Sequence, residues 1–457
     1  MAKVLVVATS RKTRGGITSV IKAHEKGGQW ERFHCRWIET HRDGGFLRKL
    51  LYVLRAFTQY LFLLPDNDIV HIHIGEAPSA LRKMAFMAYA KLWQKKTIVH
   101  FHSFSPDTTI KSRYSFLYRY LFTRADKVIV LSEYWKNEVN GFVPDADIEI
   151  LYNPCTTEVA IDDDIIKEPY ILYAGTVSQR KGYADMIKAF SPIAERHPEW
   201  NIVFAGNGEI EQGQTLAVQY NIQDQTKWLG WVNGEAKDLA FRKASVFCLP
   251  SYAEGFSMAV LDAWAYGLPV ITTPVGGIPD VAIDGENMLL FQPGDCQKLS
   301  QCLQLMIENA DLRHSISRES KNMAATKFNI NTINTQLAGI YGGLVDTNEC
   351  MKSNKNCILL VLLMAWGMFS PATAVAQTEG KGVYHFESDG NPIIKHTHTA
   401  DPAVIVEGDT LWLFTGHDKA GGQTNYVMED WLLFSTTDMK HWDEYPVPLS
   451  IDEFKWA

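Results

Sequence analysis

Residues 250–280 read PSYAEGFSMAVLDAWAYGLPVITTPVGGIPD and follow an apolar run at 246–250. The pattern predicts a strand over 246–250, a helix over 256–266 that is closed by Gly267, and a second strand over 269–273. A strand, a helix and a strand in close succession form the repeating unit of a parallel sheet. This block therefore predicts an α/β domain.

The same alternation extends through the first 345 residues. Further predicted strands are Val4–Ala8, Ile69–Ile74, Thr97–Phe101 and Lys127–Leu131, then Tyr170–Ala174 and Ile202–Ala205. Their unbroken apolar runs are typical of strands buried on both faces. The polar, acidic stretch 157–168 separates two series. We expect two doubly wound, Rossmann-like domains, 1–156 and 157–345, facing a cleft at the carboxyl ends of their strands, where ligands bind.

Composition and charge limit the classes of function. The 457 residues are 46% hydrophobic and 21% charged, which indicates a globular protein rather than a disordered, collagen-like or coiled-coil one. A net charge of −8 does not favour binding of nucleic acid. Residues 1–150, however, hold 23 Lys and Arg against 14 Asp and Glu. This excess indicates either an uneven surface or attraction to an anionic substrate or membrane.

Two further features concern the environment of the chain. Leu50–Leu64 is apolar but contains Arg55, which predicts an amphipathic helix that is either packed on the core or lies on a membrane surface. The seven cysteines include no CxxC pair, so we expect free thiols in a reducing compartment. Residues 1–350 are accordingly expected in the cytoplasm or on the cytoplasmic face of a membrane.

The loop 175–182, GTVSQRKG, lies between a predicted strand and a predicted helix. Backbone N–H groups and a helix N-terminus favour an anion there, and Arg180 and Lys181 add cationic donors. The alternative is an ordinary loop with solvated basic side chains.

Two carboxylates in the 250–280 block form the second candidate site. If Glu254 begins the helix, Asp262 follows it by about 12 Å along the axis. Two acceptors at that separation can hold opposite ends of one polar ligand, with the N–H groups of 255–258 between them. The alternatives are a carboxylate on the helix dipole for Glu254 and an ion pair for Asp262.

Histidines form the third candidate. His71 and His73 share one face of a strand, and so do His100 and His102. A metal site is possible, but without a clear carboxylate ligand we favour hydrogen-bonded histidines at the edge of the cleft and predict no metal.

Together these residues resemble a known family. Gly15-Gly16 after the first strand, the loop 175–182 and the block 250–280 make residues 1–345 similar to the family-4 retaining glycosyltransferases of the GT-B fold. The resemblance implies a nucleotide-diphosphate sugar as donor substrate, no metal and no other cofactor. The donor-binding set that it implies is Gly16, Thr176, Arg180, Lys181, Gly206, Glu254, Gly255, Phe256, Ser257, Met258 and Asp262.

The resemblance also implies roles. Lys181 contacts the diphosphate, Glu254 holds hydroxyls of the transferred sugar, and His102 lies near the reacting carbon; these three form the implied catalytic set. Asp262 stands where the family has a second Glu for the nucleotide ribose, and Thr176 stands where the family often has Arg.

The implied activity is transfer of a sugar to a cell-surface polysaccharide or glycolipid, with a saccharide or lipid-linked saccharide as acceptor. The basic first domain adds a possible peripheral contact with a membrane. The two departures leave open a nucleotide-sugar-binding protein with weak catalysis.

The chain changes character after residue 350. Residues 351–376 have the charged start, apolar centre and Ala374-Val375-Ala376 end of a signal peptide. A fused pair of genes, an internal signal-anchor and a buried helix all remain open.

Residues 377–457 resemble the start of a secreted family-43 glycoside hydrolase, a five-bladed propeller, through HTHTADPAVIVEGDTLWLFTGHD and LLFSTTDMKHW. The resemblance makes Asp401 the general base. No partner general acid follows, so we expect no hydrolase activity from this fragment, which would be exported if the internal signal works.

Overall fold

The computed structural model describes residues 2–42, 44–155, 166–346, 384–387, 399–407, 409–418 and 428–450. The chain divides into two compact units, Met1–Ser353 and Asn354–Ala457. The predicted signal-peptide-like segment 351–376 lies outside the described residues.

The first unit begins with a six-stranded parallel sheet in the order β2-β1-β3-β4-β5-β6. Its strands are β1 (Val4–Ala8), β2 (Arg36–Glu39), β3 (Ile69–Ile74), β4 (Lys96–Phe101), β5 (Lys127–Val130) and β6 (Ile148–Ile150). The helices between them are α1 (Gly16–Glu25), α2 (Gly28–Arg32), α3 (Phe46–Leu63), α4 (Ala77–Leu92), α5 (Ser115–Arg124) and α6 (Glu133–Phe142). Every residue of β1 and β3 is buried, as their apolar runs predict.

A second six-stranded parallel sheet follows, in the order β12-β11-β10-β7-β8-β9. Its strands are β7 (Tyr170–Ala174), β8 (Asn201–Ala205), β9 (Thr226–Gly230), β10 (Val246–Leu249), β11 (Val270–Thr272) and β12 (Leu289–Leu290). Its helices are α7 (Tyr183–Ala194), α8 (Ile210–Gln219), α9 (Gly234–Lys243), α10 (Met258–Ala265), α11 (Cys296–Glu308) and α12 (Ala310–Ala325). Short 3₁₀ helices span Leu64–Asp66, Pro106–Thr108, Gln179–Lys181, Gln223–Gln225 and Ile278–Asp280. The predicted pair of parallel-sheet α/β domains is confirmed.

The helix α13 (Ile330–Asp346) follows the second domain along the chain but packs on the first. Its buried Leu337 and Tyr341 belong to a core that includes Val4 and Ile69 of the first sheet. The division at 157–345 groups this helix with the second domain, whereas its packing assigns it to the first. The apolar spacing of 330–345 indicates a buried face but not the sheet that covers it.

The second unit contains a five-stranded antiparallel sheet in the order β13-β17-β16-β15-β14. The strands are β13 (Tyr384–Glu387), β14 (Thr399–Glu407), β15 (Thr410–Asp418), β16 (Met428–Thr436) and β17 (His441–Ser450). Asp401 lies in β14. The assignment of this sheet to a propeller hydrolase stays a prediction.

Two observations bear on the environment. All five cysteines that the structure describes are free thiols, and four of them are buried. In the described part of the chain, no helix combines the length and the apolar character that crossing a bilayer requires.

Candidate active site

Predicted site residues from both α/β domains lie close together at the cleft between these domains. A Cβ atom built on Gly255 would lie 2.6 Å from the backbone oxygen of Ser103, the residue after His102. A Cβ atom built on Gly16 would lie 3.5 Å from Cγ of Met258. The start of α1 and the end of β4 therefore face the block 250–280 across the cleft.

A cluster of cations surrounds Glu254. The Lys181 Nζ atom lies 2.5 Å from Glu254 Oε1, and Arg180 Nη1 lies 3.6 Å from the same oxygen. The Ser251 hydroxyl donates to it at 2.7 Å. Because Glu254 is only 8% exposed, its charge needs such partners. Within the described residues nothing donates to Oε2, which leaves this oxygen to accept from a ligand.

Arg180 is held in place from both domains. Its Nη1 atom donates to the backbone oxygen of Ala253 at 2.6 Å. Its guanidinium lies over the ring of Phe104, 4.5 Å from the centroid, in a cation–π contact across the cleft. The structure thus brings Arg180 and Lys181 to one carboxylate, while the predicted binding of an anionic ligand by the loop 175–182 stays a prediction.

Glycines allow the loops below this cluster to pack closely. A Cβ atom on Gly182, whose φ is +73°, would lie 1.9 Å from the Pro250 backbone oxygen. One on Gly206 would lie 1.7 Å from the Gly175 backbone oxygen. The exposed Thr176 contributes its carbonyl, which accepts from the Tyr173 hydroxyl at 2.9 Å.

The local structure of the block differs from the prediction. The helix begins at Met258 rather than at Phe256, so Glu254 lies in the loop before it. The expectation that Glu254 begins the helix that carries Asp262 is therefore wrong. The physical reason is that residues 254–257 pack against the turn at Gly276-Gly277. There the Gly277 N–H donates to the Gly255 oxygen at 2.8 Å, so this oxygen is not used in a helix.

The residues at the start of α10 divide by role. Phe256 is buried among aromatic rings, including Phe328, so it offers the cleft no side chain. Its backbone oxygen accepts from the Asn153 side chain at 3.1 Å. The Ser257 hydroxyl is buried and has no hydrogen-bond partner among the described residues. A ligand at the helix start would satisfy it.

Asp262 forms a separate ion pair. Its Oδ2 atom lies 2.6 Å from Lys237 Nζ of α9, and the residue is 7% exposed. Lys237 was not identified from the sequence. Nothing in the sequence distinguishes it from the other basic residues of α9, a helix rich in charged residues. Ser251 was also assigned no role, although this residue lies in the block 250–280, and Phe104, which belongs to no motif, was missed.

His102 stands at the end of β4 and is half-buried. Its Nε2 atom lies 2.9 Å from Nδ1 of His73. Burial, then the charges of His24 and Lys83, lower the pKa of His102 to about 3, so its ring is neutral near pH 7. A neutral ring offers the cleft one donor or one acceptor, according to its tautomer.

One ring nitrogen each from His71, His73 and His100 lie within 4.8 Å of one another. The His71 ring stacks with those of His73 and His100, at interplanar angles of 27° and 5°, and the His73 and His100 rings are tilted by 31°. Because lone pairs lie in the ring planes, stacked rings direct them side by side rather than toward one ion. The arrangement favours packed histidines over a metal centre.

Two family models match the α/β domains. Residues 6–159 match Glycosyltransferase Family 4, and residues 162–323 match Glycosyl transferases group 1. Together the two models cover most of residues 6–323, so both α/β domains are similar to known glycosyltransferase domains. The resemblance inferred from the motifs is confirmed at this level.

Relatives and solved structures agree with these domains. An uncharacterized glycosyltransferase of Haemophilus influenzae is 28% identical over 206 residues, which are 44% of this chain and 57% of the relative. The chain thus spans less than two thirds of the length of this relative. Anabaena HepE in complex with UDP aligns with a TM-score of 0.59 at 17% identity, over 75% of this chain and all of that one. The lipopolysaccharide outer core galactosyltransferase WaaB aligns with a TM-score of 0.54 at 21% identity, over 74% and 99%. Both structural likenesses concern the fold, which is that of the GT-B glycosyltransferases.

Proposed function

We propose that the protein is a retaining glycosyltransferase that moves a sugar from a nucleotide-diphosphate sugar to a cell-surface polysaccharide or glycolipid. The observation that carries the proposal is the contact of Lys181 and Arg180 with Glu254 at the cleft. The two cations suit a diphosphate, and the carboxylate suits sugar hydroxyls. All three lie where the first domain contacts the second.

The donor is proposed to bind mainly to the second domain. Its diphosphate would lie against Lys181 and the start of α10, where the Ser257 hydroxyl lacks a partner among the described residues. Glu254 Oε2 would accept from the transferred sugar, and Asp262 with Lys237 would lie at the nucleoside end. Because HepE is described in complex with UDP, uridine diphosphate sugars are the first donors to test.

The chemistry follows from the charges. Negative charge develops on the diphosphate as the bond to the sugar breaks, and preplaced cations lower the energy of that state. For the donor to bind in this way, Lys181 must leave Glu254 and contact the phosphate instead. The Glu254 carboxylate is then available to the sugar. His102, neutral and next to Ser103 at the domain contact, would orient the reacting sugar through a hydrogen bond. The acceptor is proposed to bind the first domain.

We also propose that residues 1–350 act in a reducing compartment, in the cytoplasm or at its membrane face. The free thiols of the described cysteines support this location.

The first prediction concerns Lys181. Lys181→Ala should lower donor turnover by roughly a hundredfold or more, because it removes a cation that stabilises the leaving diphosphate. The measurement is release of nucleoside diphosphate from a panel of nucleotide sugars, with water as the acceptor, together with the thermal shift that each donor produces.

Lys188→Ala is the matched control, since Lys188 is an exposed lysine on the adjacent helix α7. Its turnover should equal that of the wild type. Unchanged turnover in a folded Lys181→Ala variant would remove the assignment. Donor binding without turnover in the wild type would instead identify a nucleotide-sugar-binding protein.

A further inference from the structure

The outer face of α3 exposes large apolar side chains. Leu50, Leu51, Leu54 and Phe62 are 43%, 66%, 56% and 78% exposed. The opposite face is packed: Ala56 and Tyr60 belong to the core of the first domain. The helix is therefore anchored to the sheet on one side and leaves an apolar strip, defined as Leu50, Leu51, Leu54 and Phe62, on the other.

Basic residues flank the apolar strip. Arg48, Lys49 and Arg55 are exposed on the same helix. Residues 44–65 contain no Asp or Glu, and residues 1–150 carry nine more basic than acidic side chains. An apolar strip with cationic flanks is complementary to a bilayer whose headgroups are anionic. Two copies of the chain meeting through this face would bring like charges together.

Neighbouring helices extend the surface toward the cleft. The starts of α4 and α5 expose Leu81 and Phe116, each about as exposed as Leu51. The helices α3, α4 and α5 share one core, so they lie on one side of the sheet. Each begins after the carboxyl end of a strand, which is the edge that carries the cleft.

We propose that the apolar strip of α3 and its basic flanks dock the first domain on an anionic membrane surface, so that the acceptor is a membrane-borne saccharide. The inference rests on the proposed function for the identity of the acceptor, while the docking itself does not depend on turnover. Leucine and phenylalanine enter the headgroup region, and the arginines contact lipid phosphates.

The test is flotation of the full chain with vesicles of equal parts phosphatidylglycerol and phosphatidylcholine, and with vesicles of phosphatidylcholine alone. All proteins carry Leu362→Lys and Ala365→Lys, which interrupt the uncharged stretch 357–376 so that it does not itself bind lipid. We compare this protein with a variant that adds Leu51→Ser, Leu54→Ser and Phe62→Ser. The matched control instead adds Leu229→Ser, Leu239→Ser and Ile283→Ser, which remove exposed apolar side chains from the second domain.

The proposal expects binding to the anionic vesicles that weakens with salt, and little binding to phosphatidylcholine. The α3 variant should bind on the order of a hundredfold more weakly, and the control as well as its parent. Equal binding by the α3 variant and the control, or no binding of the parent to anionic vesicles, would overturn the proposal. So would a stable dimer without lipid that the α3 substitutions dissociate.

Donor turnover with water as acceptor tests the proposed function independently of lipid binding. It should be unchanged in the α3 variant, which also shows that the variant is folded. If turnover is absent from every protein while the lipid binding behaves as expected, the proposed function fails and the docking surface stands.

Discussion

At the scale of single residues, Gly255 marks a contact between the domains that no other residue type fits. A Cβ atom there would lie 2.6 Å from the Ser103 backbone oxygen and 3.2 Å from Leu131 Cδ1. The oxygen belongs to the backbone next to His102, so it cannot turn aside as a flexible side chain would. An added methyl group must push the end of β4 away from the block 250–280.

Gly255→Ala should therefore lower donor turnover on the order of a hundredfold, because a displacement of about 1 Å between reacting groups has that effect. The measurement is kcat/KM for the donor identified with the wild type. Gly141→Ala is the control, since a Cβ atom there meets nothing within 4 Å. Wild-type turnover in Gly255→Ala would show that the catalytic geometry does not need this approach.

The candidate site was predictable where residues follow a motif. Lys181 and Glu254 are 73 positions apart, yet their loops were predicted at the carboxyl ends of strands that parallel pairing places side by side. Lys237 and Phe104 were not predictable, because a pair such as Lys237 with Asp262 depends on how two helices pack. The position of His102 followed from its strand, whereas its contact with His73 required the register of β3 against β4.

At the scale of elements, α13 is the part of the fold that sequence reasoning placed with the wrong neighbour. Strand runs such as Val4–Ala8 and Ile69–Ile74 agree with the structure at both ends, because a strand buried on both faces is apolar throughout. For α13, Ile333, Leu337 and Ile340 recur at helical spacing and define a buried face. Either sheet could cover such a face, so only tertiary packing decides.

Leu337→Ala tests this packing. Leu337 is fully buried, so truncation should lower the free energy of unfolding of the first domain by about 2–5 kcal/mol. Hydrogen exchange resolves the location: β1 and β3 should lose protection, while β7 and β8 keep it. Gln336→Ala, on the exposed face of the same helix, should change neither. Lost protection in β7 instead of β1 would assign α13 to the second domain.

At the scale of the whole molecule, buried histidines couple stability to pH. Burial lowers the pKa of His24 to about 4, that of His102 to about 3, and those of His71, His73 and His100 well below the usual value. An unfolded chain protonates its histidines near pH 6.5. Below that pH the unfolded state binds more protons than the folded state, so stability falls as the pH falls. Each histidine contributes up to about 1.4 kcal/mol per pH unit until its folded pKa is reached.

His100 isolates one part of this effect. Neither of its buried ring nitrogens has a hydrogen-bond partner among the described residues, so the ring gains little from its polarity. His100→Leu should therefore retain the fold and reduce the loss of unfolding free energy between about pH 7 and about pH 5 by about 2 kcal/mol, since one protonation of the unfolded state is removed. Urea denaturation at the two pH values measures the difference. His314→Gln, at an exposed position of α12, should leave the loss unchanged. If His100→Leu and His314→Gln respond alike, the acid sensitivity does not originate in the buried histidines. If only His100→Leu responds, the buried histidines of the first domain contribute to the acid sensitivity.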